Sequence, residues 1–418
     1  MFSDIPIKYF NGTHRVKEPR ETIKNYEDKL RVAGITRLTE ITDLDRVGIP
    51  VFSAIRPTAQ EGSVSVYAGK GIGKPQAKAS AMMEGFERYS AEKQKIDNDN
   101  IIIGTFEDMS NPVDFESLVL PQSVDIESLK GLELEWSKMT DIVSEEEFDV
   151  PINLIYHPYI PSNDNITSFV KGNTNGLASG NVLEEAVLHG IFEVVERDAW
   201  SIFEETKKNR KEIDLDTIES EDINNILNKF ENESVDINLL DITADVEIPT
   251  IAVSSDDTLL KDAALLTLGV GTHLNPEIAV LRALTEVAQS RATQIHGTRE
   301  DTARADFMRK AGYGRMKKIN SHYFESEGNK INLSSIDNNS SVSIKKDIDT
   351  CIEKLSNVGL NKILFKDLTR SEIGVNVVRV IIPGAELFAL DPSRRGERAV
   401  EYDLNHWNKF METFYYVK

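Results

Sequence analysis

The stretch NGLASGNVLEEAVLHGIFEVVER at residues 175–197 decides the fold of this chain. Its first residues are small and include two glycines, which is typical of a loop, and the rest is rich in Ala, Leu and Glu without a proline, which predicts a helix. In that helix Ala186, Glu193 and Glu196 are separated by seven and three residues. This spacing places all three side chains on one helical face.

The same pattern occurs three times along the chain. Its members are Ala77 with Glu84 and Glu87, Ala186 with Glu193 and Glu196, and Ala279 with Glu286 and Gln289. Each copy predicts a helix, and each follows a glycine-bearing segment, at residues 69–74, 176–181 and 269–273. We predict that these three segments are loops, because glycine is the commonest residue of turns.

A second pattern, a turn followed by a Val- and Ile-rich run, also recurs three times, at residues 42–51, 241–253 and 367–382. Such runs bounded by Gly and Pro are typical of strands. Because the two patterns are interleaved along the chain, they predict an α+β protein built from three diverged β/α units around a shared centre. The alternative is that Ala-rich helices resemble one another by chance.

Composition excludes several classes of function. The 418 residues include 48 basic and 69 acidic side chains, a formal net charge of -21, which argues against sequence-independent binding of nucleic acid or of an anionic membrane. The single cysteine, Cys351, excludes an intrachain disulfide and lies on an apolar helical stripe that predicts a core position. No apolar run is long enough to span a membrane, and the N-terminus lacks a signal-peptide pattern, so we expect a cytoplasmic protein.

The repeated glutamates indicate a metal site. Two carboxylates one turn apart repel each other unless a cation lies between them. If the three helical faces meet, four or five carboxylates converge, and an oxygen-only cluster suits a hard divalent cation such as Mg²⁺, which proteins often hold together with nucleotide phosphates. The alternative is that each Glu lies on a solvated face beside Lys or Arg.

Standard nucleotide motifs do not account for the glycine segments. Gly73-Lys74 is followed by Pro75, so there is no Walker A motif, and the glycines at residues 69, 71 and 73 do not have the dinucleotide spacing. The histidines have no zinc-ligand spacing either. A nucleotide site in this chain therefore has to be of an unusual kind.

The combined motifs resemble those of the YcaO proteins over residues 13–384, nearly the whole chain. The likeness rests on Gly69-Lys70-Gly71 with Ser80-x-x-x-Glu84-x-x-Glu87-Arg88, on Asn175–Asn181 with Glu193-x-x-Glu196-Arg197, and on Glu286-x-x-Gln289-x-Arg291. The resemblance implies the YcaO fold, with ATP and Mg²⁺ bound at the centre of the three units. It also implies an enzyme that phosphorylates the oxygen of a peptide backbone amide.

Specific site residues follow from the resemblance. It implies that Glu84, Glu87, Glu193 and Glu196 hold Mg²⁺, and that Arg15, Thr22, Glu84, Asn181, Glu185, Arg197 and Arg291 contact ATP. Arg15 and Thr22 stand where the family has Lys and Ser, which preserves the charge and the hydroxyl. The resemblance assigns no catalytic residue beyond these.

The chain is further similar to a YcaO subgroup that acts with a TfuA-like partner, through Asn11–Arg15, residues 34–37 and a C-terminus without a proline-rich end. The subgroup implies that external sulfide converts a backbone amide into a thioamide, with thioglycine in the methyl-coenzyme M reductase alpha subunit as the expected product. The alternatives are an azoline-forming cyclodehydratase, a non-catalytic peptide-binding scaffold and a nucleotide-dependent regulator. The family also implies a homodimer.

We divide the chain at residues 60 and 390. Residues 1–60 are expected to be an N-terminal segment of the fold, residues 61–390 the ATP-binding core, and residues 391–418 a C-terminal tail. Within the core, residues 320–344 are rich in Ser, Asn and Glu, which predicts a mobile loop that contributes little to the interior.

Overall fold

The computed structural model of the protein describes residues 2–10, 12–208, 210–297, 303–325, 328, 330–400 and 402. The strands are β1 Lys8–Phe10, β2 Thr13–Arg15, β3 Arg37–Glu40, β4 Val51–Ile55, β5 Val66–Lys70, β6 Ile102–Gly104, β7 Leu134–Asp141, β8 Glu147–Pro151, β9 Leu177–Gly180, β10 Lys211–Ile213, β11 Val235–Asp241, β12 Thr250–Asp257, β13 Thr267–Thr272, β14 Lys330–Ile331, β15 Leu364–Asp367 and β16 Asn376–Ile381. The helices are α1 Pro19–Tyr26, α2 Lys74–Ala91, α3 Ile126–Lys130, α4 Leu183–Thr206, α5 Glu221–Asn232, α6 Pro276–His296, α7 Ala303–Ala311, α8 Tyr313–Ile319, α9 Ser321–Phe324 and α10 Ile344–Asn357.

Three sheets each supply the strand that leads into one of the three long repeated helices. The first has the order β3-β4-β5 and continues into α2. The second has the order β6-β7-β15-β16-β9, with β8 on β7, and continues into α4. The third has the order β13-β12-β11-β10-β14, and α6 follows β13. The prediction of an α+β fold with three β/α units is confirmed.

The prediction that the glycine segments are loops is wrong at the positions that pack against the helices. Those glycines lie in β5, β9 and β13, where they let the helix rest on the strand backbone. A Cβ on Gly69 would lie 2.4 Å from the Ala77 carbonyl oxygen, one on Gly180 2.5 Å from the Ala186 nitrogen, and one on Gly271 2.3 Å from the Ala279 oxygen. The repeated Gly and Ala are therefore packing partners, because both must be small for strand and helix to touch.

Each repeated helix covers its own hydrophobic cluster. Met82 and Phe86 of α2 pack with Trp136 of the second sheet, and Ile191 of α4 packs with α10. Cys351 of α10 is fully buried in that second cluster, which confirms its predicted core position, and burial raises the pKa of its thiol.

The described residues between 320 and 344 contain more regular structure than the sequence predicts. They contain α9 and β14, and β14 pairs in parallel with β10. Tyr323, Leu333 and Ile344 are buried, so the expectation that this segment contributes little to the interior is wrong at these positions. The sequence does not indicate these buried positions, because each apolar residue is separated from the next by several polar residues and no periodic pattern results.

The structure describes only part of the two chain ends about which the sequence makes predictions. Of the predicted tail, residues 401 and 403–418 lie outside the described part, as does Asn11 of the N-terminal motif. None of the helices in the described residues combines the length and the apolar character needed to cross a bilayer. The division at residues 60 and 390 stays a prediction.

Candidate nucleotide and metal site

A cavity of about 330 Å³ lies where α2, α4 and α6 converge. It is lined by the predicted residues Arg15, Thr22, Glu84, Glu87, Asn181, Glu185, Glu193, Glu196 and Arg197, and by Glu286 and Gln289 of the third repeat. The alternative that the glutamates occupy solvated faces is wrong for Glu87 and Glu196, whose exposed fractions are 9% and 2%. The sequence repeat therefore brings its acidic faces together at one site.

Burial makes several of these carboxylates costly to ionise. It raises the pKa of Glu87 well above its ordinary value, and it raises the pKa of Glu193 despite the nearby Arg197 and Arg88. Burial also raises the pKa of Glu196 to about 7, with Glu286 adding to the rise and Arg197 opposing it. Six glutamates and six Lys or Arg side chains line the cavity, so burial, more than an excess of negative charge, raises these pKa values.

The cavity also contains cations, and Arg282 and Lys70 are among those that were not predicted. Arg197 Nη2 lies 3.3 Å from Glu196 Oε1, and Arg282 Nη2 lies 3.8 Å from Glu196 Oε2. Lys70, at the end of β5, pairs with Glu286. Arg282 was missed although it precedes Glu286 by one helical turn, a spacing that places both on the same face.

The N-terminal segment closes one side of the cavity through four predicted residues. Thr22 Oγ1 donates to Asn181 Oδ1 over 2.9 Å, and Asn181 Nδ2 donates to Glu185 Oε1 over 3.0 Å. Glu185 Oε2 in turn accepts from the Val16 backbone nitrogen over 2.8 Å, and Arg15 Nε lies 3.9 Å from Glu185 Oε1. This network ties α1 and β2 to the beginning of α4.

Arg291 is the one predicted nucleotide residue that the structure does not bring to the cavity. Its Nε donates to Asp45 Oδ2 over 2.8 Å, and its Nη2 donates to Asp257 Oδ2 over 3.1 Å. The side chain is fully buried. Because its Nε and Nη2 are bound to these two aspartates, Arg291 joins the first and third units instead of lining the cavity, and Arg282 lies on the cavity wall.

The oxygen donors that line the cavity are suited to binding a hard divalent cation. The donors are carboxylate oxygens, and Glu196 Oε2 is buried without a hydrogen-bond partner. Among the described residues no three acidic, histidine or cysteine side chains are already gathered into a metal-binding group, so an ion would draw these carboxylates closer together. Glu84, Glu87, Glu193 and Glu196 are the side chains that would hold Mg²⁺.

Comparisons of the sequence with known proteins identify its family and its relatives. A model of the YcaO cyclodehydratase family, described as binding ATP and Mg²⁺, matches residues 68–386. An uncharacterised protein of Methanothermobacter thermautotrophicus is 53% identical over 91% of this chain and 97% of its own length. An uncharacterised protein encoded in the tfuA 3′ region of Rhizobium leguminosarum bv. trifolii is 30% identical over 89% of each chain.

Solved structures agree with the fold. YcaO from Methanopyrus kandleri bound with AMPPCP and Mg²⁺ matches with a TM-score of 0.76 and 29% identity, over 94% of this chain and 98% of that one. A heterocyclase in complex with substrate and cofactor matches with a TM-score of 0.80 and 25% identity, over 93% of this chain and 54% of that one. The sequence match, the overall fold and the acidic cavity agree: this chain belongs to the YcaO family of ATP-dependent enzymes, which use ATP and Mg²⁺.

Proposed function

We propose that the protein uses ATP to phosphorylate the oxygen of a peptide backbone amide, and that it thereby installs a thioamide. The observation that carries this proposal is the convergence of the three repeated helices on a cavity lined by buried carboxylates and by several cations. A site of this kind can hold a metal-bound triphosphate, because the carboxylates attract the metal and the cations attract the phosphates.

In the proposed reaction, sulfur replaces the amide oxygen, and that oxygen leaves with phosphate. Hydrosulfide attacks the amide carbonyl carbon and forms a C–S bond, and the carbonyl electron pair moves to oxygen. That oxygen attacks the γ-phosphorus of ATP, and ADP leaves with the bridging oxygen. The C–O bond then breaks, phosphate leaves with the former carbonyl oxygen, and loss of the sulfur proton to the phosphate yields the thioamide.

The side chains of the cavity have separate tasks in this scheme. Arg197, Arg282 and Lys70 neutralise phosphate charge and orient the triphosphate, which is most of what phosphoryl transfer requires of a protein. Asn181 and Thr22 hold the nucleotide side of the cavity in place. When bound to the glutamates, Mg²⁺ would supply charge neutralisation at the phosphate oxygens.

Sulfur has to come from outside this chain. Cys351 is the only cysteine in the sequence, and it is buried in the core, so a persulfide carried on it would be closed off from the cavity. A TfuA-like partner is proposed as the source of sulfide, and the Rhizobium relative encoded beside tfuA supports this choice. The relative in a methanogen supports the methyl-coenzyme M reductase alpha subunit as the substrate, with glycine as the modified residue.

The test is a mass measurement on a peptide that contains the target glycine, incubated with protein, Mg-ATP, sulfide and the TfuA-like partner. We expect exchange of one oxygen for one sulfur. Loss of one water from a peptide with a neighbouring Cys, Ser or Thr would instead assign the azoline chemistry of the heterocyclase relatives. ATP binding without any modified peptide would support the alternative of a non-catalytic peptide-binding scaffold. Glu193→Gln should abolish the product, and Glu204→Gln, on the same helix but away from the cavity, should not.

A further inference from the structure

A second, smaller cavity lies beside β16 and has one residue of α4, Val194, in its wall. Its volume is about 60 Å³, and its walls include Leu154, Val194 and Val380 together with two arginines, Arg379 and Arg394. This is less than a fifth of the volume of the nucleotide site, so the space suits a small ligand. We call it the arginine cavity.

The two arginines differ from the other buried arginines of the described residues. Arg56, Arg291 and Arg370 are equally buried, and each forms an ion pair with at least one carboxylate. No carboxylate of the described residues lies within 4.0 Å of Arg379 or Arg394. The two buried arginines without an anionic partner thus line the same cavity.

Their hydrogen bonds leave donors free. Arg379 donates from Nε to the Leu154 carbonyl oxygen over 3.0 Å and from Nη2 to the Asn173 carbonyl oxygen over 2.8 Å, whereas its buried Nη1 has no acceptor. Arg394 donates from Nε to the Val119 carbonyl oxygen over 2.8 Å. Asn175, also in the wall, has a buried side-chain oxygen without a donor.

An unpaired buried charge destabilises a fold unless something compensates for it. Burial lowers the pKa of both Arg379 and Arg394 to about 10, so both still carry their charge at neutral pH. Glu193 and Asp391 attract them only from beyond ion-pair distance. An anion between the two guanidiniums would supply the missing partner.

We propose that the arginine cavity binds one small monovalent anion, and that in the working enzyme this anion is hydrosulfide. The choice of hydrosulfide rests on the proposed function. It suits the site because its charge pairs with the free guanidinium donors while its S–H can donate to the free oxygen of Asn175. Val194 of the cavity wall is adjacent in sequence to Glu193 of the nucleotide site, so the two cavities share helix α4.

The first experiment tests the site without reference to the reaction. Crystals of the full chain are soaked in sodium bromide, and bromide is located by its anomalous scattering. We expect a peak between Arg379 and Arg394 in the wild type and in Arg395→Met, and none in Arg394→Met. Arg395 is the matched control because it is the next residue and lies exposed, paired with Glu205. Crystals with bromide at other positions but an empty arginine cavity would overturn the proposal.

The second experiment tests hydrosulfide by thioamide formation at varied sulfide concentration. Arg394→Met should raise the KM for sulfide about tenfold, the effect of losing one charge-assisted hydrogen bond, and leave the KM for ATP unchanged. Arg394→Lys should restore part of the loss. Equal KM values for sulfide in Arg394→Met and Arg395→Met would refute hydrosulfide as the anion. If the wild type makes no thioamide at all, the proposed function fails, and the bromide peak still decides whether the anion site exists.

Discussion

Replacing Glu196 by Gln should make the ligand-free protein more stable while it abolishes binding of Mg-ATP. Burial raises the pKa of Glu196 from 4.5 to about 7. Because the pKa is higher in the folded state, the protonated carboxyl group contributes fully to the free energy of unfolding below pH 4.5. This contribution is lost as the pH rises to about 7. At about 1.4 kcal/mol per pKa unit, the ionised side chain costs the folded state about 3 kcal/mol at pH 8. Glu196→Gln removes this cost and so stabilises the fold at pH 8. Part of the stabilisation is offset because Arg197 loses an anionic neighbour.

Glu204→Gln is the matched control, since it makes the same change on the same helix. Burial alone would raise the pKa of Glu204, but hydrogen bonds from His322, Lys207 and Tyr323 lower it to about 2. Its ionised form therefore stabilises the fold at pH 8 by a similar amount, about 3 kcal/mol, and the contribution is lost as the pH falls from 4.5 towards 2.

The assay is urea unfolding of both variants at pH 8 and pH 5, combined with calorimetric titration of Mg-ATP. We expect Glu196→Gln to be the more stable variant at pH 8, with its advantage over the wild type much smaller at pH 5. Glu204→Gln should be destabilised and should keep nucleotide binding. If Glu196→Gln is destabilised like Glu204→Gln and still binds Mg-ATP, the assignment of Glu196 as a buried carboxylate of the metal site is refuted.

Three further substitutions test separate parts of the structure. Thr22→Val removes the hydrogen bond to Asn181 and should weaken ATP binding by about 1 kcal/mol, measured by calorimetry; an unchanged affinity would remove this contact from the site. Arg291→Met leaves the buried Asp45 without its ion-pair partner and Asp257 with Arg46 alone, and should cost about 3 kcal/mol in urea unfolding, whereas any folded fraction should still bind ATP. Gly269→Ala sets a Cβ 2.2 Å from the Ala283 carbonyl oxygen, so the thermal unfolding midpoint should fall by several degrees, and a neutral effect would show that α6 can shift.

The parts of the fold that depend on local spacing could be predicted from the sequence. The helices around Glu84, Glu193 and Glu286 each carry their pattern within a few turns, so both the helix and its acidic face are visible without any distant contact. The convergence of the three faces followed from the repeat itself, because similar units pack in similar ways.

The parts that depend on distant pairing could not be predicted. The segment around Gly180 has no strand alternation of its own, and it becomes β9 because it pairs with β16 nearly 200 residues later. Arg291 shares a helix with cavity residues, but its partner Asp45 comes from the first unit, and nothing near Arg291 in the sequence indicates that pairing. The two arginines of the arginine cavity likewise meet only in the folded chain.

Transfer of oxygen from peptide to phosphate tests the central claim most directly. A peptide whose target carbonyl carries the heavy isotope of oxygen is incubated with the protein, Mg-ATP, sulfide and the TfuA-like partner, and the released phosphate is analysed by mass spectrometry. If the cavity on α2, α4 and α6 activates the amide by phosphorylation, the heavy oxygen appears in phosphate in step with thioamide formation, and Glu193→Gln forms neither. Thioamide formed together with unlabelled phosphate would contradict the account, because the amide oxygen would then leave by another route.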